Sequence, residues 1–241
     1  MKNQDVQQKN MRKNILLILF LLTRLNPALT QPKAIYRENF SDNKDNWKLY
    51  NDKDFKVQIN NGRLSIQKFE LNRKRNGCLW YHKEIPGFNA NKNFSITFFA
   101  KILSLDDEFK SIDLQWGNLT DSDTAAQKKY NLYQVLINPV QISLASFNGQ
   151  WTYFNSSTED GGPFYGRCET ANDFVPVSPL FKTDRFNKFE IEQRDGLIVL
   201  RLNNKTVFQR RMPTLTGSDI GIQQCVKSSW EISKIVIMQS D

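Results

Sequence analysis

The period of the apolar pattern constrains this chain most. Phe55–Ile59 reads FKVQI and Arg63–Gln67 reads RLSIQ, with Asn60-Asn61-Gly62 between them. Alternation at two residues followed by a Gly-centred turn is the signature of a β-hairpin. The same grammar recurs in FSITFFAKIL (Phe94–Leu103), LYQVLIN (Leu132–Asn138), ISLASF (Ile142–Phe147), FNKFEIEQRD (Phe186–Asp195), LIVLRLN (Leu197–Asn203), TVFQRRM (Thr206–Met212), DIGIQQC (Asp219–Cys225) and WEISKIVIM (Trp230–Met238). No segment carries a sustained 3.6-residue stripe, so helices are not expected. About a dozen strands joined by turn residues predict one all-β domain, an antiparallel sandwich or jelly roll. Asn148-Gly149 reads as a further tight turn before QWTYF (Gln150–Phe154). Residues 155–179 are rich in Gly, Pro, Ser and Asp and lack periodicity, which predicts a binding loop or lid.

The N-terminus has a different character. Lys2, Lys9, Arg12 and Lys13 precede ILLILFLL (Ile15–Leu22), followed by Pro27, Ala28 and Thr30. A charged segment, a short apolar run and small residues predict a signal peptide over 1–30, with 31–241 as the exported domain. Eight apolar residues are too few to span a bilayer. The expected location is secreted or periplasmic, and the chain is not expected to span the membrane.

Removing 1–30 leaves 28 basic against 24 acidic residues, so the net charge falls from +8 to +4. A mild excess spread along the chain is no nucleic-acid footprint, and no nucleic-acid partner is expected. Cys78, Cys168 and Cys225 lie far apart, and His82 is the single histidine, so neither a Cys knuckle nor a His-rich metal site can form. Asp42, Asn43 and Asp45 offer oxygens to a structural calcium, but acidic turns usually hold nothing, and no cofactor is expected.

The order of five segments adds a resemblance. NFSDNKDNWKL (39–49), INNGRLSI (59–66), DLQWGN (113–118), the stretch from Phe186 to Phe208 and the stretch from Ser218 to Ile237 resemble the concanavalin A-like lectin/glucanase superfamily. More narrowly they are similar to bacterial family-16-like, laminarin-binding and 3-keto-disaccharide hydrolase-like domains. The resemblance implies a jelly-roll sandwich with a concave face that holds carbohydrate.

Glucanases of that superfamily carry two catalytic glutamates on one strand, in a pattern close to Glu-Ile-Asp-Leu-Glu. Here the strand reads SIDLQWG (Ser111–Gly117), and Ser111 and Gln115 stand where those acids would be. Retaining glycoside hydrolysis needs two close carboxylates. Only Asp113 remains, so that machinery is absent from this strand whether the alignment is ancestral or accidental. Glu190 and Glu192 alternate on another strand and read as an outward charged face.

Binding asks for less: flat rings against sugar C–H faces and a few polar groups for the hydroxyls. Trp80, Tyr81, Trp116, Tyr130, Tyr133, Trp151 and Tyr153 supply rings, most of them expected in the core, and Gln115, Asn131, Gln134 and Arg167 supply polar groups. The candidate ligand-binding set is Asp113, Gln115, Trp151, Tyr153, Tyr165 and Arg167, with Tyr165 inside the long loop. The expected function is a noncatalytic module that binds carbohydrate or a cell-surface ligand. The alternatives are a glycosidase-like enzyme acting on glucans or 3-keto-glycosides, and an envelope protein-interaction module. An open groove at Asp113 and Gln115 would favour glycan binding, and burial of the pair would count against it.

Overall fold

A computed structural model describes residues 31–51, 55–69, 79–105, 112–121, 127–152, 164–170, 175–224 and 227–240. For 79–80, 105, 119–121, 127–130, 147–152 and 164–170 only the backbone is described. The chain divides into two units, Met1–Gln31 and Pro32–Asp241. The account below concerns the second.

Every helix-or-strand element among the described residues is a strand. In chain order they are β1 (Lys33–Glu38), β2 (Tyr50–Asn51), β3 (Phe55–Asn60), β4 (Arg63–Lys68), β5 (Leu79–Glu84), β6 (Phe94–Leu105), β7 (Ile112–Asp121) and β8 (Gln127–Ile137). The series continues with β9 (Gln141–Thr152), β10 (Phe164–Thr170), β11 (Val175–Pro176), β12 (Asn187–Arg194), β13 (Leu197–Leu202), β14 (Lys205–Arg211), β15 (Asp219–Gln224) and β16 (Ser228–Gln239). They form two antiparallel sheets. One runs β14-β13-β12-β6-β16-β4-β3-β2, with β1 also on β16, and the other runs β10-β9-β8-β7-β15-β5, with β11 also on β9. The expected jelly-roll sandwich is the architecture observed.

Three hairpins close as their turn residues require. Asn61-Gly62, Asp195-Gly196 and Asn203-Asn204 all take positive φ, between 48° and 75°. Two consecutive left-handed residues make the turn whose twist matches the flanking strands, and Asn, Asp and Gly tolerate it best.

Two expectations fail. Asn148-Gly149 is not a turn: β9 runs straight through it, with Asn148 paired to Asn131 and Arg167, and Gly149 to Tyr130 and Gly166. Ladder bonds on both edges hold the backbone extended there, overriding the local preference for a bend. The stretch 155–179 is not one long loop either, since β10 and β11 lie within it and both pair with β9.

The core lies between the sheets. Ile96, Phe98, Ile232 and Ile235 of the first face Leu114, Ile220 and Ile222 of the second, with Trp47 and Tyr81 beside them, all buried. Each large apolar side chain taken out of water contributes about 1.5–3 kcal/mol. Trp116, Tyr81 and Tyr133, three of the rings considered for ligand, belong to this core.

Glu38, 2% exposed, pins the entry to the domain. Its Oε1 accepts the backbone N–H of Asn39 at 2.8 Å and of Phe40 at 2.6 Å, and its Oε2 accepts the Trp47 indole N–H at 2.9 Å. Phe40 is fully buried at φ 57°, a costly backbone state for a bulky residue. Trp47 stacks on Tyr81 with ring centroids 5.5 Å apart.

On the other face of the nine-stranded sheet, Glu190 and Glu192 do alternate outward, and they are paired. Arg201 reaches Glu190 at 2.7 Å and Glu192 at 2.6 Å, Lys188 reaches Glu190 at 2.9 Å, and Arg194 pairs with Glu192. Burial pushes the Glu190 carboxyl up, but hydrogen bonds and charge from Lys188 and Arg201 outweigh it and hold it below the ordinary range.

Candidate functional site

Strand β7 sorts its residues by parity. Ile112, Leu114 and Trp116 enter the core, so Asp113, Gln115 and Gly117 fall on the opposite face of the seven-stranded sheet. The pairing carries that face across the neighbours. His82 of β5, Gly221 of β15, Gln115 of β7 and Gln134 of β8 form one row, and Gln223 pairs beside Asp113 in the next.

These side chains bond to one another. Gln134 Nε2 donates to Asp113 Oδ2 at 2.8 Å. Gln115 Nε2 donates to Gln134 Oε1 at 2.7 Å and to Gln223 Oε1 at 3.2 Å. All four are buried, with Asp113 6% and Gln115 1% exposed. Amides on adjacent strands at matching register meet naturally, and burial demands that they pair. One atom of the set is left over: Gln115 Oε1 is buried and has no hydrogen-bond partner.

Gln115 is also one of the residues that line a shallow recess. Gly117 and Gly221 leave bare backbone there, and His82, Trp116, Leu132, Asn118 and Asp219 complete the lining. His82, Asn118 and Asp219 are half-buried and form the rim. A Cβ on Gly221 would stand 2.6 Å from His82 Nδ1 and 3.2 Å from Gln115 Oε1, so glycine is what lets the His82 ring pack this close to the strand. Gly117 has its own reason. At φ 138° it lies against Gly217 of the 212–218 segment, whose own Cβ would strike Gly117 O at 2.1 Å. The same segment accepts the Tyr133 hydroxyl at Pro213 O, 2.6 Å away. Burial raises the Tyr133 phenol above its ordinary value, so it stays a donor.

The sequence candidates divide accordingly. Asp113 and Gln115 share one face, as strand periodicity required, but they lie buried in the amide set rather than in an open groove lined by rings. Trp151 pairs with Lys128 and Phe164, in the same alternating set as Asp113 and Gln115. Tyr165 pairs with Gln150 and Arg167 with Asn148, in the other set, and both sit on a strand rather than in a loop. Tyr153 lies outside the described residues, as do Ser111, Cys78 and Cys225. His82, Asp219, Gly221 and Gln223 were not singled out as site residues. The alternation of Asp219, Gly221 and Gln223 along DIGIQQ was the available signal.

The turn proposed for calcium is closed by its own bonds. Asn43 Oδ1 accepts Trp47 N at 2.8 Å and Asn43 Nδ2 donates to Trp47 O at 3.0 Å, while Asp42 Oδ1 accepts Lys44 N at 3.1 Å. Among the described residues no three His, Cys, Asp or Glu side chains gather as a metal site.

No family model matches the chain, and no curated protein matches it. Solved structures do. A protein of unknown function with a galectin-like fold from Bacillus subtilis is similar at a TM-score of 0.54 and 10% identity, over 87% of this chain and 98% of that one. A structure from work on the endo-acting O-glycanases with which prominent members of the human gut microbiota initiate mucin breakdown is similar at 0.53 and 10% identity, over 87% and 100%. The catalytic domain of an endo-1,3-β-glucanase (laminarinase) from Thermotoga petrophila RKU-1 follows at 0.44 and 11% identity, over 88% and 99%. The fold shared with these structures is a jelly-roll sandwich. At these identities the likeness carries the architecture alone.

Proposed function

We propose that this chain is an exported, noncatalytic module that binds carbohydrate on the outer face of its seven-stranded sheet. Burial of Asp113 and Gln115 counts against a groove at those two residues, so the reading rests on the half-exposed polar edge beside them, His82, Asn118 and Asp219. The position that resembles a glucanase catalytic acid is the amide Gln115 here, and an amide cannot protonate a leaving group.

A second reading has its own support. The centre of the same face is filled by Asp113, Gln134, Gln115 and Gln223 bonded to each other, as a protein-interaction module with no deep groove requires. Binding and turnover screens against a polysaccharide panel separate the readings. Retention on a polysaccharide without new reducing ends is the expected result. Release of sugar would refute the noncatalytic assignment, and absence of both binding and turnover would leave the interaction module.

A further inference from the structure

We propose that Cys78 and Cys225 form a disulfide that fastens β5, the outermost strand of the seven-stranded sheet, to β15, and that Cys168 stays a free thiol.

The pairing follows from register. β5 and β15 run antiparallel without a bulge from Glu84↔Asp219, through His82↔Gly221 and Tyr81↔Ile222, to Leu79↔Gln224. Each step back along β5 is one step forward along β15. The position after Leu79↔Gln224 therefore sets Cys78 opposite Cys225. Both cysteines lie just outside the described residues, and each is one peptide bond from a member of the last pair. Gln224 anchors that step firmly. It is fully buried, it pairs with Ile112 along its other edge, and its Nε2 donates to Ser228 O at 2.7 Å and to Ser228 Oγ at 2.6 Å. Those bonds tie Ser228 to Gln224, so a short span of chain carries Cys225 between two fixed ends.

The geometry of an antiparallel ladder suits the bond. Residues directly opposite each other have Cα atoms about 4.5–5.5 Å apart, with both side chains on one face. A disulfide asks for a Cα separation of about 4.4–6.8 Å, so either kind of ladder position meets it. Parity fits as well. Tyr81↔Ile222 is a core pair, and the position of Cys78 and Cys225 is an odd number of steps from it. It belongs with His82↔Gly221 on the outer face, where two sulfurs displace no core side chain.

Cys168 is out of reach of both. Its row runs across the sheet through Phe147, Leu132 and Gly117 to Asp219. Crossing from β10 to β15 takes four strand spacings, about 19 Å, and Cys225 stands about 20 Å further along the strand direction than Asp219. β5 is one strand more distant still. Of the three possible pairings, only Cys78 with Cys225 meets the distance.

Closure is a thiol–disulfide exchange. The thiolate of one cysteine attacks a donor disulfide, and the second thiolate then displaces the donor from the mixed disulfide. The pair gives up two protons and two electrons, and the donor takes them up as two thiols. An oxidising compartment, which export supplies, favours the bond. The loop it closes takes in most of the domain, and long loops restrict the unfolded chain most. It also secures β5, which carries the Tyr81 ring under Trp47 and pairs along one edge alone among the described residues.

The full chain is incubated with oxidised glutathione, blocked with iodoacetamide, digested with trypsin without reduction and analysed by mass spectrometry. The expected product joins peptide 76–83 to peptide 212–227, with Cys168 in peptide 168–182 carrying glutathione or the alkyl group. Glutathione or alkyl groups on both Cys78 and Cys225, or a link through Cys168, overturn the proposal. Dithiothreitol should lower the Tm of the wild type and of Cys168→Ser by about 10 °C and leave that of Cys225→Ser unchanged. An equal drop in Cys225→Ser overturns the proposal. If Cys225→Ser fails to fold, the peptide map of Cys168→Ser decides, since its two remaining thiols must then be joined. The map needs no ligand, so failure of the carbohydrate reading leaves the bond standing, and failure of the bond leaves that reading untouched.

Discussion

Replacing Glu38 by Gln should destabilise the domain far more than so small a change suggests, and through Trp47 in particular. In the native arrangement one oxygen holds the Asn39 and Phe40 N–H groups and the other holds the Trp47 indole N–H. Gln can keep only one side of this. With its carbonyl on the two backbone donors, its NH₂ confronts the indole N–H, donor against donor, in a site 2% exposed. A charge-assisted hydrogen bond contributes about 1.5–3 kcal/mol, and an unmet buried donor costs about 1–3. The two overlap, so about 2–4 kcal/mol is expected in all. For a domain of this size that lowers Tm by roughly 5–15 °C. Trp47→Phe removes the indole donor and is costly by itself, since the ring stacks on Tyr81. In that background E38Q should cost only about 1 kcal/mol, the weakening of the two backbone bonds, because no donor is left to confront. Urea unfolding of the four proteins, followed by far-ultraviolet circular dichroism, gives the coupling directly. The expected coupling is about 1–3 kcal/mol. If E38Q costs the same with Phe at position 47 as with Trp, the carboxylate does not act through the indole and the reasoning fails.

Three further outcomes are expected. Gly217→Ala should cost about 3 kcal/mol or more, since a Cβ there meets Gly117 O at 2.1 Å, whereas Gly87→Ala, at φ 82° with nothing within 4 Å, should cost about 1–2 kcal/mol; thermal melts compare them. Arg201→Ala leaves Glu190 and Glu192 without their shared guanidinium and should cost about 1–2 kcal/mol, less at high salt, because the side chains are part-exposed; melts at two ionic strengths check both the size and the screening. Glu190 has a folded pKa below its unfolded one, so its contribution is complete above the ordinary carboxylate range and is lost as pH falls through the folded value. The stability gap between wild type and Glu190→Gln should therefore close on acidification, read from Tm against pH, and a gap that widens would contradict it.

What could be read from the sequence was local. The hairpins at Asn61-Gly62 and Asp195-Gly196 were legible because few residues tolerate two left-handed positions in a row. The phase of β7 was legible too, since a strand cannot place Asp113 and Gln115 on different faces. The partners of those two were not. That Gln134 and Gln223 stand beside them depends on inter-strand register, which no single segment encodes. β1 escaped notice because its burial does not alternate cleanly, and it is held as a strand by pairing with β16. Asn148-Gly149 misled for the converse reason, being a good turn sequence held straight by two neighbours.

The position of β16 carries a consequence for the order of assembly. Along one edge it pairs with β6, and along the other it pairs first with β4 and then with β1. The nine-stranded sheet therefore has a gap at its centre until residues 228–239 have been synthesised. A nascent chain can form its hairpins one by one, but it cannot join them into that sheet before β16 has emerged. Closure of this layer waits for β16, is slow for its many long-range pairings, and leaves three edges open to strand-adding partners until the final pairing occurs.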